Sequence, residues 1–252
     1  MAPTELAIHG CGLRSVGMSS KSSGPPAPRL AGLRDRWLSA VTVALHDDPS
    51  VGGAALVGSL GAGRADDWSD VDLLVVVEDA HLEEYAVPGR LPAGPGLLAF
   101  GIDARHNGPL GTRAVSAQYV VDGLPLWVDW HIHPISLASW PSDCTVVFDR
   151  RGISRTSADL YRGPHEPATA KSPDDQEAMR LALVPIAGKQ VARRSPETGR
   201  TIEFLGGRRT PDGDWRDDVA VLRDCSISSQ VSAGRTASRP AVRMSTCSRR
   251  PC

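Results

Sequence analysis

Asp70 and Asp72 stand two residues apart where the chain enters the apolar run Leu73 to Val77. In a strand, residues i and i+2 point to the same face, so the two carboxylates share one side while Val71 and Leu73 point into the core. Like charges this close oppose each other's ionisation, and a bound divalent cation relieves that conflict. A hard cation such as Mg2+ takes oxygen ligands, typically one or two carboxylates together with the phosphates of a substrate. Upstream, Gly58 and Ser59 close an earlier apolar run. There a turning chain offers backbone N–H groups to a phosphate, in the concave arrangement called a nest. A phosphate grip and a metal grip would then be joined by one short loop. The competing reading is a plain β-hairpin whose loop is rich in turn-forming residues. It accounts for Gly61, Gly63, Asp66 and Asp67, but gives no reason for Asp70 and Asp72 to intrude on a strand.

The full stretch is Val57-Gly58-Ser59, ten residues from Leu60 to Ser69, then Asp70-Val71-Asp72-Leu73. It resembles the signature of the nucleotidyltransferase superfamily that includes DNA polymerase beta. The intervening GRADDWSD is similar to that of the small bacterial branch that adenylylates aminoglycosides and lincosamides. The resemblance implies an α/β (α+β) fold: a mixed sheet flanked by helices, with a partial helical domain behind it. It also implies Asp70 and Asp72 as catalytic metal ligands, Gly58 and Ser59 as phosphate-binding residues, and an NTP, ATP by analogy, as co-substrate with Mg2+.

The elements that must position these residues are readable around them. Leu30, Leu33, Trp37, Val41 and Leu45 recur at helical spacing, predicting an amphipathic helix over 29–47 that Asp48-Pro49 stops; Trp37 is its core anchor. Residues 78–85 read as a short acidic helix or turn, the Pro- and Gly-rich 88–96 as a loop, and 97–102 as a strand. Segments 115–121 and 125–132 form a hairpin about Asp122-Gly123, a dipeptide suited to positive backbone angles. Its second arm carries Asp129 among bulky apolar residues. The resemblance matches Asp129 to the superfamily's third carboxylate, a metal ligand and general base on a neighbouring strand.

His131 and His133 alternate with Asp129 and should share its face. The Asp-x-His-x-His run also admits zinc; the other reading places the histidines in the acceptor pocket or at the strand end before Pro134. A further strand is expected at 145–148. Ser172-Pro173-Asp174-Asp175 has the form of a helix start, and a helix over 177–194 follows, with a kink expected at Pro185. Lys189 lies on it, in a segment resembling the part of the helical domain that faces the nucleotide, where a lysine holds a triphosphate as a point charge. Equally, Lys189, Arg193 and Arg194 are where positive charge stabilises a helix C-terminus.

Composition narrows the function. The chain has 252 residues, 41% of them hydrophobic, and a formal net charge of -1. That charge disfavours extended nucleic acid as partner and favours a small-molecule acceptor, for which the resemblance implies a hydroxyl. No apolar run reaches the roughly 18 residues of a membrane span, and no signal peptide is evident, so a cytoplasmic location is expected. The five cysteines fall in no metal-ligand spacing. The expected organisation is a flexible leader (1–28), a catalytic domain (29–152), a linker and helical domain (153–207) and a disordered tail (208–252). The resembling families continue with further helices where this tail begins, and the sequence departs from them there. The expected activity is transfer of a nucleoside monophosphate from Mg-NTP to a hydroxyl. The alternative is a nucleotide-binding protein without turnover, antitoxin-like or regulatory.

Overall fold

The computed structural model describes residues 28–157, 164–168, 170, 173–210 and 213–225. Helix α1 (Pro28–Asp47) leads into β1 (Val51–Leu56), the single helical turn α2 (Gly58–Gly61) and β2 (Val71–Val77). After the short α3 (Leu82–Tyr85) come β3 (Leu97–Asp103), β4 (Arg113–Val121) and β5 (Leu124–Pro134). The two-residue β6 (Trp140–Pro141), β7 (Thr145–Asp149) and two-residue β8 (Arg155–Thr156) follow. Helices α4 (Pro173–Ala192) and α5 (Thr198–Phe204) complete the series with a last helix, α6, over 215–225.

Six strands form one mixed sheet in the order β3-β4-β5-β2-β1-β7. All neighbours are antiparallel except β2 and β5, which run parallel at the centre. This is the mixed α+β arrangement expected of a nucleotidyltransferase. The Asp122-Gly123 turn joins β4 to β5 with φ of 51° and 76°, the left-handed pair that matches strand twist in a two-residue hairpin.

Side-chain alternation sorts the sheet into two faces. Val71, Leu73, Val75 and Val77 of β2 and Val128, Trp130 and Ile132 of β5 meet Leu33, Trp37, Val41 and Leu45 of α1 in the main core. Trp37 is fully buried, its ring 5.1 Å from that of Tyr119 and 5.9 Å from that of Trp130. Its indole N–H donates to the Ala93 carbonyl at 2.8 Å. Removing such a side chain costs about 3–5 kcal/mol. On the opposite face Leu74 and Val76 pack with Ala55, Val57, Trp140 and Cys144. The continuous run Leu73 to Val77 is therefore apolar because both faces are covered there. The N-terminal end of β2, in contrast, carries Asp72.

The C-terminal segment differs from expectation in one place. Helix α4 runs through Pro185 to Ala192, and the chain leaves it at Arg194, whose φ of 52° belongs to a Schellman-type stop: Arg194 N–H bonds to Val191 O and Ser195 N–H to Gln190 O. The expectation of an unstructured tail from 208 does not hold over 215–225. There α6 packs Val221, Leu222 and Cys225 against Ala187, Val191, Ile202 and Leu205. Residues 211–212 and 226–252 of that tail, the leader up to residue 27, and residues 158–163, 169, 171 and 172 between them, with Ser172 of the expected helix start, lie outside the described residues. Among those described, no helix is long and apolar enough to cross a membrane.

Candidate active site

Parallel pairing of β2 with β5 sets Asp72 directly opposite Asp129, and antiparallel pairing of β5 with β4 sets Asp129 opposite Ser116. Asp70 precedes β2 on the same face as Asp72. Three carboxylates spanning 59 positions of the chain thus gather at one end of the sheet centre.

Gly58 explains how the first turn fits against them. Its φ is +60°, and a Cβ there would lie 2.3 Å from Asp72 Oδ2 and 2.8 Å from Asp72 Cγ. Only glycine permits both the left-handed angle and the approach. From Gly58 the chain makes the one turn of α2, which no side chain caps. The leading N–H groups of such a turn have no partner within it. Val57 N–H bonds to the Asp72 carbonyl at 3.0 Å, fixing the turn to β2.

Burial raises the pKa of all three carboxyls. For Asp72, desolvation is the largest cause, then repulsion from Asp129 and Asp70, and together they push it up to about 7. No hydrogen bond or ion pair holds its side chain among the described residues. Asp70 is also raised, by desolvation first, although the charge of Lys189 opposes the rise. Asp129 is raised by desolvation, with Ser116 and Trp127 opposing. Ser116 Oγ donates to Asp129 Oδ1 at 2.5 Å and Trp127 Nε1 to Oδ2 at 3.1 Å. These neutral donors orient the carboxylate and leave it without a counter-ion of its own.

Two basic residues reach the site from α4. Lys189 donates through Nζ to Asp70 Oδ1. One turn on, Arg193 binds the Asp66 carboxylate twice, Nε at 2.8 Å and Nη2 at 2.6 Å. Asp66 also accepts from Ser69 Oγ and Trp68 N–H, and these contacts, with Arg193 the largest, lower its pKa to about 2. From the other side the buried Arg34 of α1 donates to the Asp66 carbonyl at 2.9 Å and to the Ser69 carbonyl at 3.4 Å. The loop that delivers Asp70 is therefore clamped between α1 and α4.

His131 and His133 do share the face of Asp129, but register places them opposite Leu74 and Val76, beneath the site. Desolvation pushes them down to about 4 and about 3, so both rings are neutral near pH 7. Among the described residues no group of three or more His, Cys, Asp or Glu side chains stands ready to hold a metal ion, neither Asp129, His131 and His133 nor the three carboxylates by themselves. The set at Asp70 and Asp72 suits a hard cation that draws its other ligands from a phosphate, since Asp72 is a buried carboxylate with two acidic neighbours and no cation.

Ser116, Trp127, Asp66, Arg193 and Arg34 were not singled out as site residues from sequence. For Ser116 the available signal was the hairpin: counting back from Asp122-Gly123 pairs it with Asp129.

The fold is consistent with that of a nucleotidyltransferase domain. Residues 41–125 match the family model described as Nucleotidyltransferase domain, about a third of the 252-residue chain. That match contains Gly58, Ser59, Asp70, Asp72 and Ser116, and stops short of Asp129 and Lys189. No curated protein matches the chain.

Proposed function

We propose that the protein transfers a nucleoside monophosphate, AMP from ATP, to a hydroxyl of a small acceptor of the aminoglycoside or lincosamide kind, releasing pyrophosphate. The observation that carries this reading is the pairing of Asp72 with Asp129 across parallel strands, with Gly58 packed against Asp72. Bound Mg2+, held by Asp70 and Asp72 with Asp129 as a further ligand, would neutralise charge on the phosphates and activate the α-phosphorus.

The chain's own residues do the rest. N–H groups at Gly58 and Ser59 bind the terminal phosphates, and Lys189 supplies a point charge to the same anion. Asp129, held by Ser116 and Trp127, accepts the proton of the acceptor hydroxyl as its oxygen attacks the α-phosphorus. The bond from that phosphorus to the bridging oxygen breaks, and pyrophosphate leaves.

Screening aminoglycosides and lincosamides with MgATP for pyrophosphate release tests the acceptor class. Release with a member of either group supports the assignment. Tight MgATP binding with no release from any acceptor points instead to the nucleotide-binding reading without turnover.

A further inference from the structure

Helix α4 touches the catalytic loop at two rungs, Lys189 on Asp70 and Arg193 on Asp66. The spacing matches on both sides. Lys189 and Arg193 are four apart, neighbours on one helix face, and Asp66 and Asp70 are four apart along the loop. The rungs differ in chemistry. Arg193 makes a planar, two-point bond to a carboxylate that is also fixed by Ser69, Trp68 and, through its own carbonyl, by Arg34. Lys189 is a single ammonium on a four-carbon stem, 7% exposed, bonded to a carboxylate that also has to serve a metal ion.

Lys189 Nζ and a divalent cation compete for the same Asp70 oxygen and neutralise the same charge. We propose that Lys189 is the resident counter-ion of the metal-free site, that metal loading displaces it from Asp70, and that the Arg193–Asp66 pair keeps α4 in place so that the displaced ammonium meets the incoming triphosphate. This deepens the nucleotidyl-transfer reading and rests on it. Arg193 and Asp66 are then positioning residues for Lys189, and the exchange hands Asp70 from one cation to another.

The test is Mn2+ binding to the full chain without nucleotide, read from the electron paramagnetic resonance signal of the free ion. Lys189→Gln keeps an N–H donor for Asp70 and removes the competing charge, whereas Lys189→Arg keeps the charge. If Asp70 is open in about a tenth of wild-type molecules, Lys189→Gln should bind Mn2+ about tenfold more tightly. It should bind MnATP more weakly than wild type. Opposite signs for bare metal and nucleotide are not produced by a merely structural role. Lys189→Arg should stay near wild type for bare metal.

Arg193→Met should increase amide hydrogen exchange across α4 in the nucleotide-free protein, and Lys189→Gln should not. Equal Mn2+ affinity in wild type and Lys189→Gln, or equal loss of protection in both variants, overturns the proposal. Asp72→Asn is the control for the underlying reading. If it loses Mn2+ while Lys189→Gln behaves as wild type, the exchange alone fails. If it retains Mn2+, the metal assignment fails and the exchange falls with it.

Discussion

Replacing Asp72 by Asn should make the metal-free protein more stable while removing its metal-dependent nucleotide binding. The carboxyl rises from 3.8 to about 7 on folding. A group with a raised acidic pKa binds its proton more tightly when folded, so its penalty is absent below pH 4. The penalty grows as pH climbs from about 4 to 7, where only the unfolded chain ionises, and stays constant above 7, where both forms are charged. A rise of that size corresponds to about 4 kcal/mol as an upper bound; because Asp70 and Asp129 titrate together with Asp72, the gain is on the order of 2 kcal/mol. For a domain of this size that is about 4–8 °C in Tm. Thermal melts of wild type and Asp72→Asn from pH 4 to pH 8, with and without MgATP, read both effects. Asp72→Asn should melt higher at pH 8, gain nothing at pH 4, and show no shift on adding MgATP. Equal melting at pH 8, or a MgATP shift retained in Asp72→Asn, would refute the reasoning.

Gly58→Ala should abolish MgATP binding in calorimetric titration, because its Cβ would displace Asp72 Oδ2 from 2.3 Å, and should cost about 1–2 kcal/mol for the left-handed angle. Asp129→Asn should lower kcat at least about a hundredfold with MgATP affinity within a fewfold; turnover at the wild-type rate would remove Asp129 as the base. Truncation after Arg209 should lower Tm by several degrees in calorimetry. It strips Leu222 from Ile202 and Leu205 and Asp218 from Arg209, and one buried leucine contributes about 2 kcal/mol. An unchanged Tm would mean that α6 adds no stability.

What was legible in the sequence was local. The stripe Leu33, Trp37, Val41, Leu45 marked α1 because its period matches the helix, and Asp122-Gly123 marked the hairpin because few other pairs tolerate two positive φ angles. Asp70, Asp72 and Asp129 stood out as charges inside apolar strands. What was not legible depends on long-range register. Nothing local says that β2 lies parallel to β5, so neither the meeting of Asp72 with Asp129 nor the position of His131 and His133 under Leu74 and Val76 could be read. Arg34 looks like any charged helix residue until the loop carbonyls of Asp66 and Ser69 are brought to it. Helix α6 escaped notice because its buried side runs Asp218, Val221, Leu222, Cys225. The first position is an acid neutralised by Arg209, which hides the apolar period. Lys189 was placed at the site by resemblance, but its partner here is Asp70.

The most direct measurement is the fate of the α-phosphate. With α-labelled ATP, Mg2+ and an acceptor from the aminoglycoside and lincosamide panel, label should enter the acceptor one for one with pyrophosphate released, and both should fall together in Asp129→Asn. Hydrolysis of ATP to ADP, or bound ATP recovered intact with every acceptor, would contradict nucleotidyl transfer at the Asp70, Asp72 and Asp129 site.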